Sequence, residues 1–275
     1  MNVQQWFLKW ACKCSVATVM LTMSLAGNAA SAHDDLRPRN VSGKVVTDGY
    51  DDGTGTTTPN VRVFGYDFGE EASDPFFTQD PGFNSVVGSG LQSGALSFDV
   101  LGPAHGSALP YNLSYWDGTG EVTWSAVPNS ENLLWYRGAS SLDINSSGVG
   151  LLSGFSIGNV SASGTIHQHL NAFLEGSDGN GIPAGPGDWG AGDGVEASPG
   201  VYALAIVLKN GSLAQSDPIW IVYNNGVDEE AHDVAIDWLN MHAVPEPATW
   251  LLAGMGGVSA LLVRRHARRL ERVTT

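Results

Sequence analysis

The sequence predicts an all-β, sandwich-like domain closed by one C-terminal amphipathic helix, with an apolar segment at each end of the chain. Three observations carry this. Between the ends, apolar residues fall in short runs separated by turn residues every ten positions or so, the spacing of a β-sandwich or barrel rather than of βαβ units. Several runs alternate or are apolar throughout, as strands are when one or both faces are buried. A single stretch near residue 235 repeats with the helical period instead. No repeat of solenoid or propeller length is visible. The 33–243 body is of a size that one all-β domain accommodates.

Residues 1–32 have the three parts of a secretory signal. Lys9 and Lys13 lie in the opening segment, Ser15 to Gly27 form an apolar run, and Ala30-Ser31-Ala32 is a small-x-small cleavage site. The run is shorter than the ~20 residues that cross a bilayer, so cleavage is expected rather than a retained anchor. Cleavage after Ala32 would leave His33 as the first residue. Both cysteines, Cys12 and Cys14, precede the apolar run and would leave with it, so no disulfide is expected in the mature chain.

In the body, strands are predicted at Ser42–Thr47, Asn60–Tyr66, Ala95–Leu101, Tyr111–Trp116, Glu121–Ala126, Asn132–Tyr136, Thr165–Leu174, Val201–Lys209 and Pro218–Tyr223. In the second, Val61, Val63 and Gly65 oppose Arg62, Phe64 and Tyr66, the pattern of a half-buried strand. Tyr202 to Leu208 is apolar on both faces and reads as a central strand. The Gly- and Asp-rich segments 48–55 and 177–194 read as loops. The helix is expected over Asp228–His242, with Asp228, Glu229 and Glu230 favouring its dipole. Ala231, Val234, Trp238 and Met241 would form its buried face, flanked by Ala235 and Leu239.

The charge restricts partners. From His33 to Val244 there are 26 acidic and 6 basic residues, a net charge of about −20. Such a field repels phosphate, so nucleic acid is excluded as an expected partner. A self-repelling soluble surface, or cation sites, fits better.

At the C-terminal end Ala248 to Val263 carries no charge and is followed by a basic cluster with Arg264, Arg265, Arg268 and Arg269. A basic flank holds that end in the cytoplasm and places the body outside. About 16 residues at 1.5 Å rise are marginal for a permanent span and suit a temporary anchor. Directly before it stand Pro245, Glu246 and Pro247, two prolines that keep the backbone extended and out of any helix. This order, over 244–270, resembles the PEP-CTERM family of exosortase substrates. The resemblance implies signal peptidase and exosortase as processing partners, with a cut near Pro245 to Pro247. It also implies a Gram-negative host, a cell-surface or matrix destination and association with extracellular polysaccharide.

Chemistry is sparser. His167-Gln168-His169 lies in a predicted strand, whose period of two puts both imidazoles on one face with Asn171. Ile166, Leu170, Ala172 and Leu174 would face the core. Such a pair can share zinc or copper. A mature His33 would offer its α-amine and ring to one Cu(II), an arrangement that resembles the histidine brace of copper-dependent polysaccharide monooxygenases and periplasmic copper carriers. That resemblance implies His167 or His169 as the second donor, with His105 and His232 as further candidates. Asp48, Asp51 and Asp52, and separately Asp178 with Asn180, supply oxygens on Gly-rich backbone of the kind calcium takes. Tyr66, Phe68, Phe76, Phe77 and Phe83 could stack on sugar rings, as a carbohydrate-binding module does, or pack a core. No nucleophile elbow is present, because Gly150-Leu-Leu-Ser153-Gly lacks the helix that must follow. No pair among the many carboxylates is singled out for glycosidase work. An enzyme is therefore not the expectation.

Overall fold

The computed structural model describes residues 34–70, 75–175 and 197–244. The expected secretory signal, His33, Asp178, Asn180, the Pro245-Glu246-Pro247 motif and the arginines from Arg264 to Arg269 lie outside the described residues. Among the described residues no helix is long and apolar enough to cross a membrane.

Among the described residues the architecture is all-β with one α-helix, as the apolar spacing predicts, built as three sheets. The first contains β1 (Asp35–Val41), β2 (Lys44–Asp51), β3 (Thr56–Thr58), β6 (Gly82–Ser85) and β13 (Ile166–His169), in the order β13-β6-β1-β2-β3. The second is β11-β10-β14-β5, formed by β5 (Phe77–Thr78), β10 (Asn132–Arg137), β11 (Ser140–Ile144) and β14 (Asn171–Glu175). The third has the path β12-β7-β15-β16-β4, with β8 (Ser114–Trp116) and β9 (Ser125–Ala126) attached beside β15. Its strands are β4 (Val63–Asp67), β7 (Gly94–Leu101), β12 (Leu152–Val160), β15 (Gly200–Asn210) and β16 (Ile219–Asn225).

Strand β15 explains the layering. Tyr202, Leu204, Ile206 and Leu208 point into one core, shared with Leu36 and Val45 of the first sheet and Leu133 and Trp135 of the second. The alternate residues Val201, Ala203, Ala205 and Val207 point into another core, beneath helix α1 (Glu229–His242). A strand buried on both faces must be apolar at every position, which is why this segment reads as central. Neighbouring β16 repeats the division, with Ile219, Ile221 and Tyr223 on the first side and Trp220 and Val222 on the second. It pairs in parallel with β4, so α1 covers β4 as well. Half-burial is therefore corrected: Val63, Phe64, Gly65 and Tyr66 are all buried.

The helix is rotated from its expected face. His232, Ala235, Ile236 and Leu239 are its buried residues, whereas Val234 and Met241 are 43% and 69% exposed. Counting only apolar residues misplaced the stripe, because a fully buried histidine forms part of it. Of the predicted strands 111–116 and 121–126, only Ser114–Trp116 and Ser125–Ala126 form, and further segments differ from expectation. The 48–55 stretch is not a loop throughout, since β2 continues to Asp51 and a short turn returns it into β3. The segment 165–174 is not one strand, because it changes sheet at Leu170, giving β13 and then β14. Ile166, Leu170, Ala172 and Leu174 nevertheless all enter the main core as expected.

Candidate metal centre

Strand β13 lies at the edge of the first sheet and pairs antiparallel with β6. The period of two sends His167 and His169 to one side, and their Nε2 atoms stand 3.3 Å apart. Asn171 does not join them, because it has already passed into the second sheet. What completes the group is Asp35 of β1, which sequence spacing did not single out. Ligating atoms of Asp35, His167 and His169 all lie within 4.8 Å of one another.

The approach depends on Gly82, which pairs with His169 in register. A Cβ there would overlap the Asp35 carboxylate and come within 2.8 Å of the His169 ring. Glycine is thus required for close approach. Asn84 donates to Asp35 Oδ2 at 3.3 Å and orients the carboxylate.

His169 is held from behind. Its Nδ1 lies 3.1 Å from the Gln79 carbonyl oxygen, so an Nδ1–H donates there and Nε2 is left facing His167. The 79–81 backbone is itself anchored by the buried Tyr223 hydroxyl, which donates to Asp80 O at 2.9 Å. That hydroxyl in turn accepts from Trp135 Nε1 at 3.0 Å. Hydrogen bonds joined through the 79–80 backbone therefore link the main core to the imidazole.

The electrostatics are those of a cation site. Asp80 is the largest cause that lifts the His169 pKa to about 9, with Asp35 adding to it and burial opposing it. Asp80 Oδ1 is 3.8 Å from Nδ1, longer than a hydrogen bond, so its attraction is chiefly Coulombic. Asp35 is raised above the usual carboxylate range by burial, with the two histidines partly restoring it. The 3.3 Å separation of the two Nε2 atoms is within hydrogen-bond reach.

The same separation fits a metal. Zinc–nitrogen bonds of about 2.0–2.1 Å at a tetrahedral angle of about 109° put two nitrogens about 3.3–3.4 Å apart. A ring nitrogen donating to a backbone carbonyl while the other faces the ion is the usual support for a ligating histidine. Two imidazoles and one carboxylate suit zinc or copper and leave a coordination position for water or another donor.

The remaining candidates are dispersed. Asp48 is gripped by Arg39, with Arg39 Nε–Asp48 Oδ2 at 2.6 Å and Nη2–Oδ1 at 2.9 Å, and also accepts from the Asn60 N–H. Asp51 accepts from the backbone and hydroxyl of Thr54, bonds that lower its pKa. Among the described residues, neither these two nor Asp52 belongs to a converging group of three metal donors. His105 sits exposed on a 3-10 turn and joins no such group. Tyr66, Phe68, Phe77 and Phe83 are buried, and Phe76 packs partly against the core. The aromatic cluster is interior packing, which removes the row of exposed rings that sugar stacking needs.

The family model for the PEP-CTERM protein-sorting motif matches residues 243–269. The motif marks an exported protein held by a C-terminal membrane anchor until an exosortase processes it. No curated protein and no solved structure matches the chain.

Proposed function

We propose that, once exported and sorted, this protein serves as a cell-surface or matrix component whose β-domain binds one zinc or copper ion through Asp35, His167 and His169. The 3.3 Å separation of the two Nε2 atoms, with a carboxylate beside them, carries this reading. Loading would displace the proton that His169 holds, so affinity would fall with acidity. Retention with extracellular polysaccharide is the accompanying proposal, and the sorting motif favours it.

The test is the metal content of processed protein recovered from its native secretion route. One equivalent of zinc or copper at this site, lost when His167 and His169 are both replaced by alanine, is the expected result. Unchanged metal in that double variant would refute the site. Secretory cleavage after Ala32 would also put a free α-amine two residues before Asp35 in sequence, which favours copper as a second reading. Extending the mature chain by one alanine before His33 would weaken copper binding if the amine takes part, and would leave it unchanged if it does not.

A further inference from the structure

The second core contains an ionisable group that the centre above does not use. His232, on the first turns of α1, is 0% exposed. Its Nε2 lies 3.2 Å from the Val222 carbonyl oxygen, so that an Nε2–H donates to β16. Its Nδ1 is buried and has no hydrogen-bond partner among the described residues. Buried polar atoms are nearly always paired, so one left bare needs a cause.

That nitrogen points toward carboxylates. Asp67, at the end of β4, has its Oδ1 3.8 Å from Nδ1, and Glu229 lies three residues before His232 on the same helix face. Ligating atoms of Asp67, Glu229 and His232 lie within 4.8 Å of one another. Glu229 is exposed and Asp67 intermediate in burial, which leaves the group a solvent path on the carboxylate side. The backbone has been cleared for it, because a Cβ at Gly65 would come within 2.5 Å of Ile236 and 3.0 Å of the His232 ring. With Nε2–H tied to a carbonyl, the Nδ1 lone pair faces anionic oxygen, and a cation held between them would be attracted by both.

We infer that Asp67, Glu229 and His232 form a second divalent-metal site, distinct from the histidine pair, that ties α1 to the end of β4. One imidazole and two carboxylates are a donor set for a first-row ion such as zinc. The N-terminus of a helix is its positive end and disfavours a cation, so the two carboxylates must supply the attracting field. The i, i+3 spacing of Glu229 and His232 lets one helix deliver two ligands to one ion.

Zn²⁺ titration of the processed protein tests this in a background carrying His167→Ala and His169→Ala, which removes the first centre. One equivalent should still bind and should raise the melting temperature. Glu229→Gln, an exposed change that spares the fold, should weaken that binding at least about tenfold, and Asp67→Asn should act alike. The His232 Nδ1 resonance should shift on saturation. Absence of that equivalent overturns the inference, as does binding that both variants leave unchanged. Either failure is separate from the first centre, whose loss is read from the starting protein against the double histidine variant.

Discussion

The histidine pair on β13 and the buried His232 on α1 place the same ring in opposite settings. At β13 the rings stand at a sheet edge, His167 is exposed and His169 has a side chain 40% exposed. Under α1, His232 is sealed between helix and sheet. In both places one ring nitrogen is paired with a backbone carbonyl, and a glycine on the adjoining strand makes room for the ring. The difference is in what the surroundings depend on. The edge site can lose its rings with little harm to packing, while the interior site is part of the packing itself.

The largest effect should therefore fall on the interior. His232→Ala opens a cavity and strips Val222 O of its donor, and should destabilise the metal-free protein by about 3 kcal/mol. His167→Ala should change metal-free stability by no more than about 0.5 kcal/mol, as exposed substitutions do. Denaturant unfolding of the two variants compares them directly, and equal losses would break the contrast.

Glycine substitutions sharpen it. Gly65→Ala drives a methyl into Ile236 and His232 and should cost about 1–3 kcal/mol of stability. Gly82→Ala meets the Asp35 carboxylate instead, and its main consequence should be a loss of zinc affinity at the β13 centre of about 10–100-fold. Tyr223→Phe probes the link from core to edge. Removing the hydroxyl frees Asp80 O, loosens the segment that holds His169, and should weaken metal binding about tenfold. Isothermal titration of each variant gives the numbers.

The smallest effect is that of pH on the metal-free protein. The His169 pKa is raised in the folded state to about 9. Its contribution to stability is thus fully present below the unfolded value of about 6.5 and is lost as pH rises through about 9. Solvent screening at this partly exposed ring keeps the change small. Stability measured from pH 6 to 10 should show a decline that His169→Gln abolishes.

Much of the fold was legible because burial imposes periodicity. Val201–Lys209 lies within β15, and Pro218–Tyr223 overlaps β16, since apolar residues at successive positions have few other uses. Strand β12, with the sequence LSGFSIGNV, was not expected, because its serines and glycines carry turn composition while its pairing with β7 holds it in the sheet. Strand β1 was missed for a similar reason, since Arg37, Pro38 and Arg39 disguise it. With β1 unseen, Asp35 could not be placed beside the histidines. His167 and His169 themselves were legible from their spacing alone. His232 is a candidate donor by residue type, but its partners come from a strand end and a helix turn that only tertiary packing brings together.

Anomalous diffraction at the zinc edge, from crystals of the processed protein grown with zinc, would locate an ion at the β13 centre. A peak is expected about 2.0–2.1 Å from the Nε2 atoms of both His167 and His169, with an Asp35 oxygen at a similar distance. Density without such a peak, and with the two rings still 3.3 Å apart, would contradict a metal centre there.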